Sequence, residues 1–473
     1  MALNLLTEQQ KKKFQELLQN YPLIITMTHD IIHQGGQAYL VGGAVRDLIL
    51  NRPIKDCDIE VHNLSFEQLN ILLSKYGPVN FVGKSFGILK LYESPIDWSL
   101  PRTDASGRKP LVLIDPSLSL RQALERRDLT MNAMALNVTT YELHDPFKGL
   151  EDIENKVLRT PNPLFFTEDP LRFFRVMQFI GRFEMMPDET LNRVCKQMSL
   201  AAVSIERVEE EMKKLLLFSR RPSEGFRWIK NLDRLAEIFP ELGVLSEVPQ
   251  DKCWHPEGDV FEHTMQTLDA AARFTHISEK EKLILLYAAL CHDLGKADTT
   301  VIQEDRITSH GHEVEGVKKT RTFLKRIMRN QELINTVCIL VRHHMSPILF
   351  VTENAKPAAY KRLANKLAPY TNLQMLGLLA CADQQGRNAK SHEPLDEKNP
   401  LITQFLIKAE QAQVLERHEE PVLHGRDLLD TIPAGPLLGK ILQEVYGIQI
   451  DEGITDRDQL KKRALALYDS LQR

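Results

Sequence analysis

Residues 38–61 commit the chain to a strand, a glycine turn, a helix and a second strand with acidic groups on one of its faces. The stretch reads Ala38-Tyr-Leu-Val-Gly42-Gly43-Ala-Val-Arg46-Asp47-Leu-Ile-Leu, then Lys55-Asp56-Cys57-Asp58-Ile-Glu60-Val. An apolar strand ends at Gly42-Gly43 and an amphipathic helix follows. Side chains two apart on a strand point the same way. Asp56 and Asp58 therefore share a face, about 7 Å apart by the rise per residue. Two such carboxylates repel each other unless a cation sits between them. Hard oxygen ligands suit Mg²⁺, which also binds substrate phosphates. The glycines admit backbone N–H groups to a phosphate, and the helix start adds a favourable dipole. The unit is built for a metal-bound nucleoside triphosphate.

A length of 473 residues predicts three domains, and 43% hydrophobic residues suffice for real cores. The longest apolar run, Leu283 to Cys291, predicts a buried helix, and no run approaches a membrane span. The N-terminus shows no signal-peptide pattern. Six cysteines without C-x-x-C spacing predict free thiols and a cytoplasmic protein. A net charge of −4 leaves no overall nucleic-acid footprint. From Lys156 to Arg234, however, 15 basic residues stand against 11 acidic ones, so a helical stretch there can track an RNA backbone. Oligomeric state is not legible.

The pattern along the chain predicts an N-terminal helix (1–35) and an α/β head with a mixed sheet (36–157). The head strands are placed at Tyr39–Val41, Cys57–Val61, Val79–Val82, Ile88–Leu91 and Ala133–Val138. Arg102 to Lys109 is polar and turn-forming and predicts a mobile loop. An all-α neck and body follow (158–248), then a second all-α block (249–390) beyond the Pro249, Pro256 and Gly258 punctuation. A linker reads across Asn388 to Pro400, and the last region, linker and small helical tail, is assigned to 391–473.

The glycine turn and the paired aspartates resemble the signature of the nucleotidyltransferase superfamily, in its class II tRNA nucleotidyltransferase and poly(A) polymerase branch. Further segments extend the resemblance. Ile96-Asp97 offers a third acidic group on a neighbouring strand, which would complete the catalytic carboxylate set with Asp56 and Asp58. Arg126-Arg127-Asp128-Leu-Thr-Met-Asn132 is similar to the family's sugar and phosphate motif. Arg127 would clamp phosphate oxygens and Asp128 would accept from ribose hydroxyls. Gly43 and Arg46 would lie on the nucleotide side of the turn.

Glu168-Asp169-Pro170-Leu-Arg172-Phe-Phe-Arg175 is the most specific of these segments. Pro170 suits a first helical position with Asp169 as its cap. Asp169 and Arg172, three apart, share a helix face. Together they present an acceptor beside a donor. That matches cytosine N4 and N3, and adenine N6 and N1. Guanine and uracil invert the pattern, at roughly 1–3 kcal/mol per mismatch. The resemblance implies a protein template for untemplated addition of C, C and A to the tRNA 3′ end from CTP and ATP. Arg175, one turn on, would face the triphosphate. Ile205-Glu206-Arg207-Val208-Glu209 resembles the family's neck and is assigned to packing and template support.

Eight of the 15 histidines fall between His255 and His344. Phe261-Glu-His263, Cys291-His292-Asp293-Leu-Gly295-Lys296 and Ala382-Asp383 resemble the H…HD…D pattern of the HD phosphohydrolase superfamily. The resemblance implies that His263, His292, Asp293 and Asp383 chelate a divalent transition metal (Ni²⁺, Co²⁺ or Mn²⁺), with Mg²⁺ in the head. His312 and His343 are the expected holders of a second ion. His255, His310 and His344 are expected at the surface or behind the ligands. The implied activity is a phosphatase or 2′,3′-cyclic phosphodiesterase.

Three rivals stand beside this reading. A bacterial poly(A) polymerase usually carries a more basic segment than Val82-Gly83-Lys84-Ser85-Phe86-Gly87. A split enzyme adding only CC or only A is compatible with the short 102–115 loop. A non-enzymatic RNA-binding module would not need Asp56, Asp58 and Arg172.

Overall fold

The alternating apolar residues of the predicted head strands build the centre of an eight-stranded sheet in the computed structural model. The structure describes residues 4–54, 57–82, 88–92, 94–104, 112–304, 306–397 and 399–472. Asp56, residues 83–87 of the basic-segment argument and residues 105–111 of the expected loop lie outside them.

In chain order the strands are β1 (Asn4–Leu5), β2 (Gln37–Val41), β3 (Cys57–His62), β4 (Val79–Val82), β5 (Ile88–Leu91), β6 (Ile96–Ser99), β7 (Ala135–Asn137) and β8 (Glu142–His144). They lie side by side as β1-β8-β7-β2-β3-β6-β5-β4. Only β3 and β6 run parallel, with Asp58 opposite Asp97. Period-two alternation divides the two faces of this sheet. Ala38, Leu40, Ile59, Val61, Ile96 and Trp98 face a buried core shared with α1 (Glu8–Asn20) and α2 (Pro22–His33). The opposite face carries Tyr39, Val41 and Ala135 in a smaller cluster, together with Asp58, Glu60 and Asp97. The acidic groups are thus raised on the side away from the main core.

Two local expectations change. The leading segment is two helices, because Pro22 opens a new one at its first position. Arg102–Asp104, expected in a loop, pairs antiparallel with Val112–Ile114.

The chain divides into two compact units. The first comprises Met1–Leu215 with Asn231–Asp233, and the second Leu216–Lys230 with Arg234–Arg473. In the first unit α3 (Gly43–Ile49) leaves the glycine turn and α4 (Leu171–Phe183) begins just after Asp169-Pro170. In the second unit α5 (Val260–Ala272), α6 (Glu279–Cys291), α7 (His312–Ile327), α8 (Gln331–His343) and α9 (Leu373–Gln385) pack around one another. Ser278 and Glu281 cap α6 reciprocally. Leu283 to Cys291 is buried throughout, as expected of a helix apolar on every side. Gln331–Thr352, in α8 and the helix after it, is long and apolar enough to cross a membrane by composition. The sequence reading missed it because Arg342, His343 and His344 interrupt it. Half of it is buried within the fold. The expected linker is irregular but held, with Gln266 bonded to Asn388 and Leu395 to Gln385. The tail helices Pro436–Glu452 and Arg457–Gln472 enclose their own apolar cluster around Ile441, Val445 and Leu460.

Candidate active site and candidate metal centre

The head's acidic face opens on a cavity of about 360 Å³. Asp58, Asp97, Arg127, Asp128, Asp169, Arg172 and Arg175 all line it. Residues named from stretches far apart in sequence therefore meet in one space. Asp58 and Asp97 face each other across the parallel β3–β6 pair. Lys90 Nζ lies 2.9 Å from Asp97 Oδ1, so a cation already answers part of this charge.

Asp128 is buried, and Arg175 Nε donates to its Oδ2 at 2.6 Å. Its Oδ1 accepts from the Leu129 N–H and from Asn132 Nδ2. Burial alone would raise its pKa, but Arg175, Asn132 and Arg172 hold it down at about 2. The expected open ribose acceptor is therefore first a brace for Arg175. Arg46 and Gly43 are not among the residues lining the cavity. Arg46 is buried, donates to Asn132 Oδ1 and Asp47 Oδ1, and stacks 4.8 Å from the Phe183 ring centre.

Asp169 does cap α4, since its Oδ1 accepts from the Leu171 N–H at 3.1 Å. Its Oδ2 takes Arg207 Nη2 at 2.8 Å. Arg172 donates to the carbonyls of Phe165 (2.6 Å) and Arg126 (2.7 Å). Two of the five guanidinium donors thus orient its plane. Arg207, assigned to template support, reaches the cavity itself.

Sequence reasoning passed over Glu60, although it follows Asp58 by two residues and so shares its face. It lines the cavity and is buried. Burial favours its neutral form, but hydrogen bonding to His62 and the charge of Arg127 lower its pKa overall.

The second unit gathers a histidine and aspartate cluster on helices α5 to α9. Backbone carbonyls decide the ring tautomers. His292 Nδ1 meets Ala289 O at 2.8 Å, His312 Nδ1 meets Ser309 O at 2.7 Å, and His344 Nδ1 meets Val341 O at 2.7 Å. A carbonyl only accepts, so each Nδ1 carries the proton and each Nε2 presents a lone pair. His263 Nδ1 lies 2.7 Å from Glu257 Oε1 and 3.1 Å from Gly386 O, with the same result. Yet His263 and His292 face each other through Nε2 at 3.2 Å, and so do His312 and His344 at 3.1 Å. Two lone pairs at that distance need a cation between them, either a metal ion or, at His263, a proton, since Asp383 and Glu257 push its pKa up to about 9 against the effect of burial. The carboxylates complete two groups. Asp293 and Asp383 lie 3.7 Å and 3.2 Å from His263 Nε2. On its other side Asp293 Oδ1 lies 3.4 Å from His312 Nε2 and 3.9 Å from His344 Nε2. The donor set therefore fits one ion between His263, His292 and Asp293, with Asp383 beside His263, and a second between Asp293, His312 and His344.

The second group corrects the histidine expectation. His344, not His343, is buried and joins His312. It continues the buried Leu333, Val337 and Leu340 face of α8 by one more turn, a spacing the sequence does contain. Burial beside His312 and His292 pushes its pKa down to about 3, the neutral state a ligand requires. Three groups escaped the sequence reading. Glu257 orients His263, Lys296 Nζ pairs with Asp293 Oδ2 at 2.7 Å, and Arg387 pairs with Asp383 Oδ1 at 3.0 Å. His255 Nδ1 also lies 2.9 Å from Glu257 Oε1.

Comparison with known proteins follows the same division. The family described as "Poly A polymerase head domain" matches residues 38–159, and "HD domain" matches residues 260–370. The "Multifunctional CCA protein" of Mannheimia succiniciproducens is 34% identical over 400 residues, covering 80% of this chain and 92% of that protein. The Pasteurella multocida protein of the same name is 36% identical over 299 residues, covering 61% and 69%. The Bacillus stearothermophilus CCA-adding enzyme in complex with CTP shares the fold, with a TM-score of 0.62, 21% identity, and 95% and 98% of the chains covered. The Thermotoga maritima CCA-adding enzyme complexed with tRNA gives 0.56 at 18% identity, covering 94% and 95%.

Proposed function

The chain belongs to the family of multifunctional CCA proteins, and on that premise we propose how its two sites act. It adds C, C and A to the 3′ end of tRNA from CTP and ATP and releases pyrophosphate. The observation that carries the reading is the meeting of Asp58, Asp97, Asp169 and the arginines at 127, 172 and 175 in one cavity.

Asp58 and Asp97, with Asp56, would hold Mg²⁺. Bound there, the metal would lower the pKa of the tRNA 3′-hydroxyl and neutralise phosphate charge. The chain's own groups position the reactants. Arg175, braced by Asp128, and Arg127 orient the triphosphate for in-line attack at the α-phosphate. Asp169 and Arg172 read the base edge. Most of the rate gain lies in this placement and in charge stabilisation.

Incubation with tRNA lacking its 3′ end, and each nucleotide singly and together, tests this reading. CMP should enter first, AMP only after two C residues, and GMP and UMP barely at all. Long AMP tracts on any RNA would establish a poly(A) polymerase instead, and addition stopping at CC or confined to A a split enzyme. In the same assay Arg172→Ala should slow CTP and ATP use and narrow their lead over UTP and GTP by roughly tenfold or more. An unchanged preference would move base selection to other groups.

For the second unit we propose a phosphohydrolase centre acting on 2′,3′-cyclic and terminal phosphates, with Ni²⁺, Co²⁺ or Mn²⁺ as its metals. The mixed imidazole and carboxylate set favours such ions over Mg²⁺. Bound metal would supply an activated water. Lys296 and Arg387 hold Asp293 and Asp383 in place. His344→Ala should reduce the bound metal from two ions per chain to one, read by elemental analysis after dialysis. Two ions retained by that variant would remove His344 from the ligand set.

Within this reading the head spans 36–157, the neck and body 158–248 and the HD domain 249–390. All six cysteines lie outside disulfides, which suits the cytoplasmic setting we propose.

A further inference from the structure

Glu60 lines the head cavity at 8% exposure, and no step above uses it. Two residues beyond Asp58 on β3, it looks at first like a further carboxylate for the metal. Its contacts argue otherwise. His62 Nε2 lies 3.0 Å from Oε1, and His62 Nδ1 lies 3.1 Å from the Leu118 carbonyl. Arg127 Nη2 approaches Oε2 at 3.5 Å. Both oxygens are therefore turned toward donors from the protein.

The other side of Arg127 meets the glycine turn. Gly42 has φ +68°, and a Cβ placed there would lie 2.6 Å from Arg127 Nη1 and 3.9 Å from Asp58 Oδ2. Any side chain at Gly42 would therefore push the guanidinium away, besides straining the backbone. The turn is kept bare where Arg127 passes, beside one of the catalytic carboxylates. Arg127 has four χ angles and, left alone, would sample many positions. A charge on one side and a bare turn on the other reduce these to a narrow range, which lowers the entropy lost on binding a phosphate.

We propose that Glu60 is a positioning residue, which holds Arg127 against the Gly42 turn so that its guanidinium meets the nucleotide triphosphate beside Asp58. The ligand class is the triphosphate common to CTP and ATP. The inference rests on the nucleotidyl-transfer reading of this cavity. It also accounts for the bare glycine without a backbone contact to phosphate at that position.

Steady-state kinetics on trimmed tRNA test it, with Glu60→Gln, Arg127→Gln, the double variant and Gly42→Ala. Glu60→Gln should raise KM for CTP and ATP roughly tenfold while kcat falls less, with tRNA KM and Mg²⁺ half-saturation unmoved. Glu60→Asp, which keeps the charge, should recover part of the loss. In the Arg127→Gln background Glu60→Gln should add little, because the two groups act as one. Gly42→Ala should give the Arg127→Gln signature through an independent change. Multiplicative losses in the double variant, or a raised Mg²⁺ requirement for Glu60→Gln, would overturn the brace while leaving the enzyme's activity established. Wild-type protein inert toward trimmed tRNA with every nucleotide would overturn the functional reading and the brace together.

Discussion

Asp58→Ala is expected to abolish nucleotide addition, by at least about a thousandfold, while the head stays folded. Asp58 is only partly buried on β3, and its register partner is Asp97 on the parallel strand. The substitution removes one of two facing carboxylates and so relieves repulsion as it removes a metal ligand. The thermal midpoint should hold or rise. CMP incorporation into trimmed tRNA and a melting curve, taken together, check both halves. Near-wild-type incorporation would refute the site, and a collapsed midpoint would show that Asp58 serves the fold instead.

The double variant His292→Ala with Asp293→Ala should lose phosphohydrolase activity by a comparable factor, about a thousandfold, and keep CMP and AMP addition. Asp293 belongs to both proposed ion groups by geometry, lying 3.3 Å from His292 and 3.4 Å from His312. Its loss disables both at once and leaves Lys296 without its carboxylate partner. The milder Asp293→Asn keeps the shape and should show the same loss if charge is what matters. Retention of addition is expected because Asp58, Asp97 and Arg172 belong to the other compact unit. Metal profiles should separate likewise, with Mg²⁺ sufficient for addition and Ni²⁺, Co²⁺ or Mn²⁺ supporting hydrolysis of 2′,3′-cyclic nucleotides. Full hydrolysis by the double variant, or lost addition in a folded one, would break the two-site account.

How much of this was legible beforehand depends on the range of the interaction concerned. The strands Val79–Val82 and Ile88–Leu91 were read with the bounds the structure has, because alternation is a local property. The buried helix at Leu283 to Cys291 was equally plain, since a run apolar on every side has nowhere else to go. The Asp169 cap was visible from Pro170 alone. The partners were not. Nothing near Asp169 announces Arg207, 38 positions away, and nothing near Asp128 announces Arg175, 47 away. The choice between His343 and His344 turned on which side of the last turn of α8 meets α7, a matter of helix rotation and not of composition.

Sequence by itself determined which side chains share a strand or helix face, because periods of 2 and 3.6 residues are set by backbone geometry. That placed Asp169 with Arg172, and a histidine and aspartate set on successive helices, while Asp56, expected to share a face with Asp58, lies outside the described residues. Tertiary structure decided which faces meet and what each polar group has already bonded. It brought His263 within 3.2 Å of Asp383, 120 positions later, and turned Asp128 from an open acceptor into a brace. The reason is physical. Burial and pairing depend on atoms brought together by packing, and no local period encodes them.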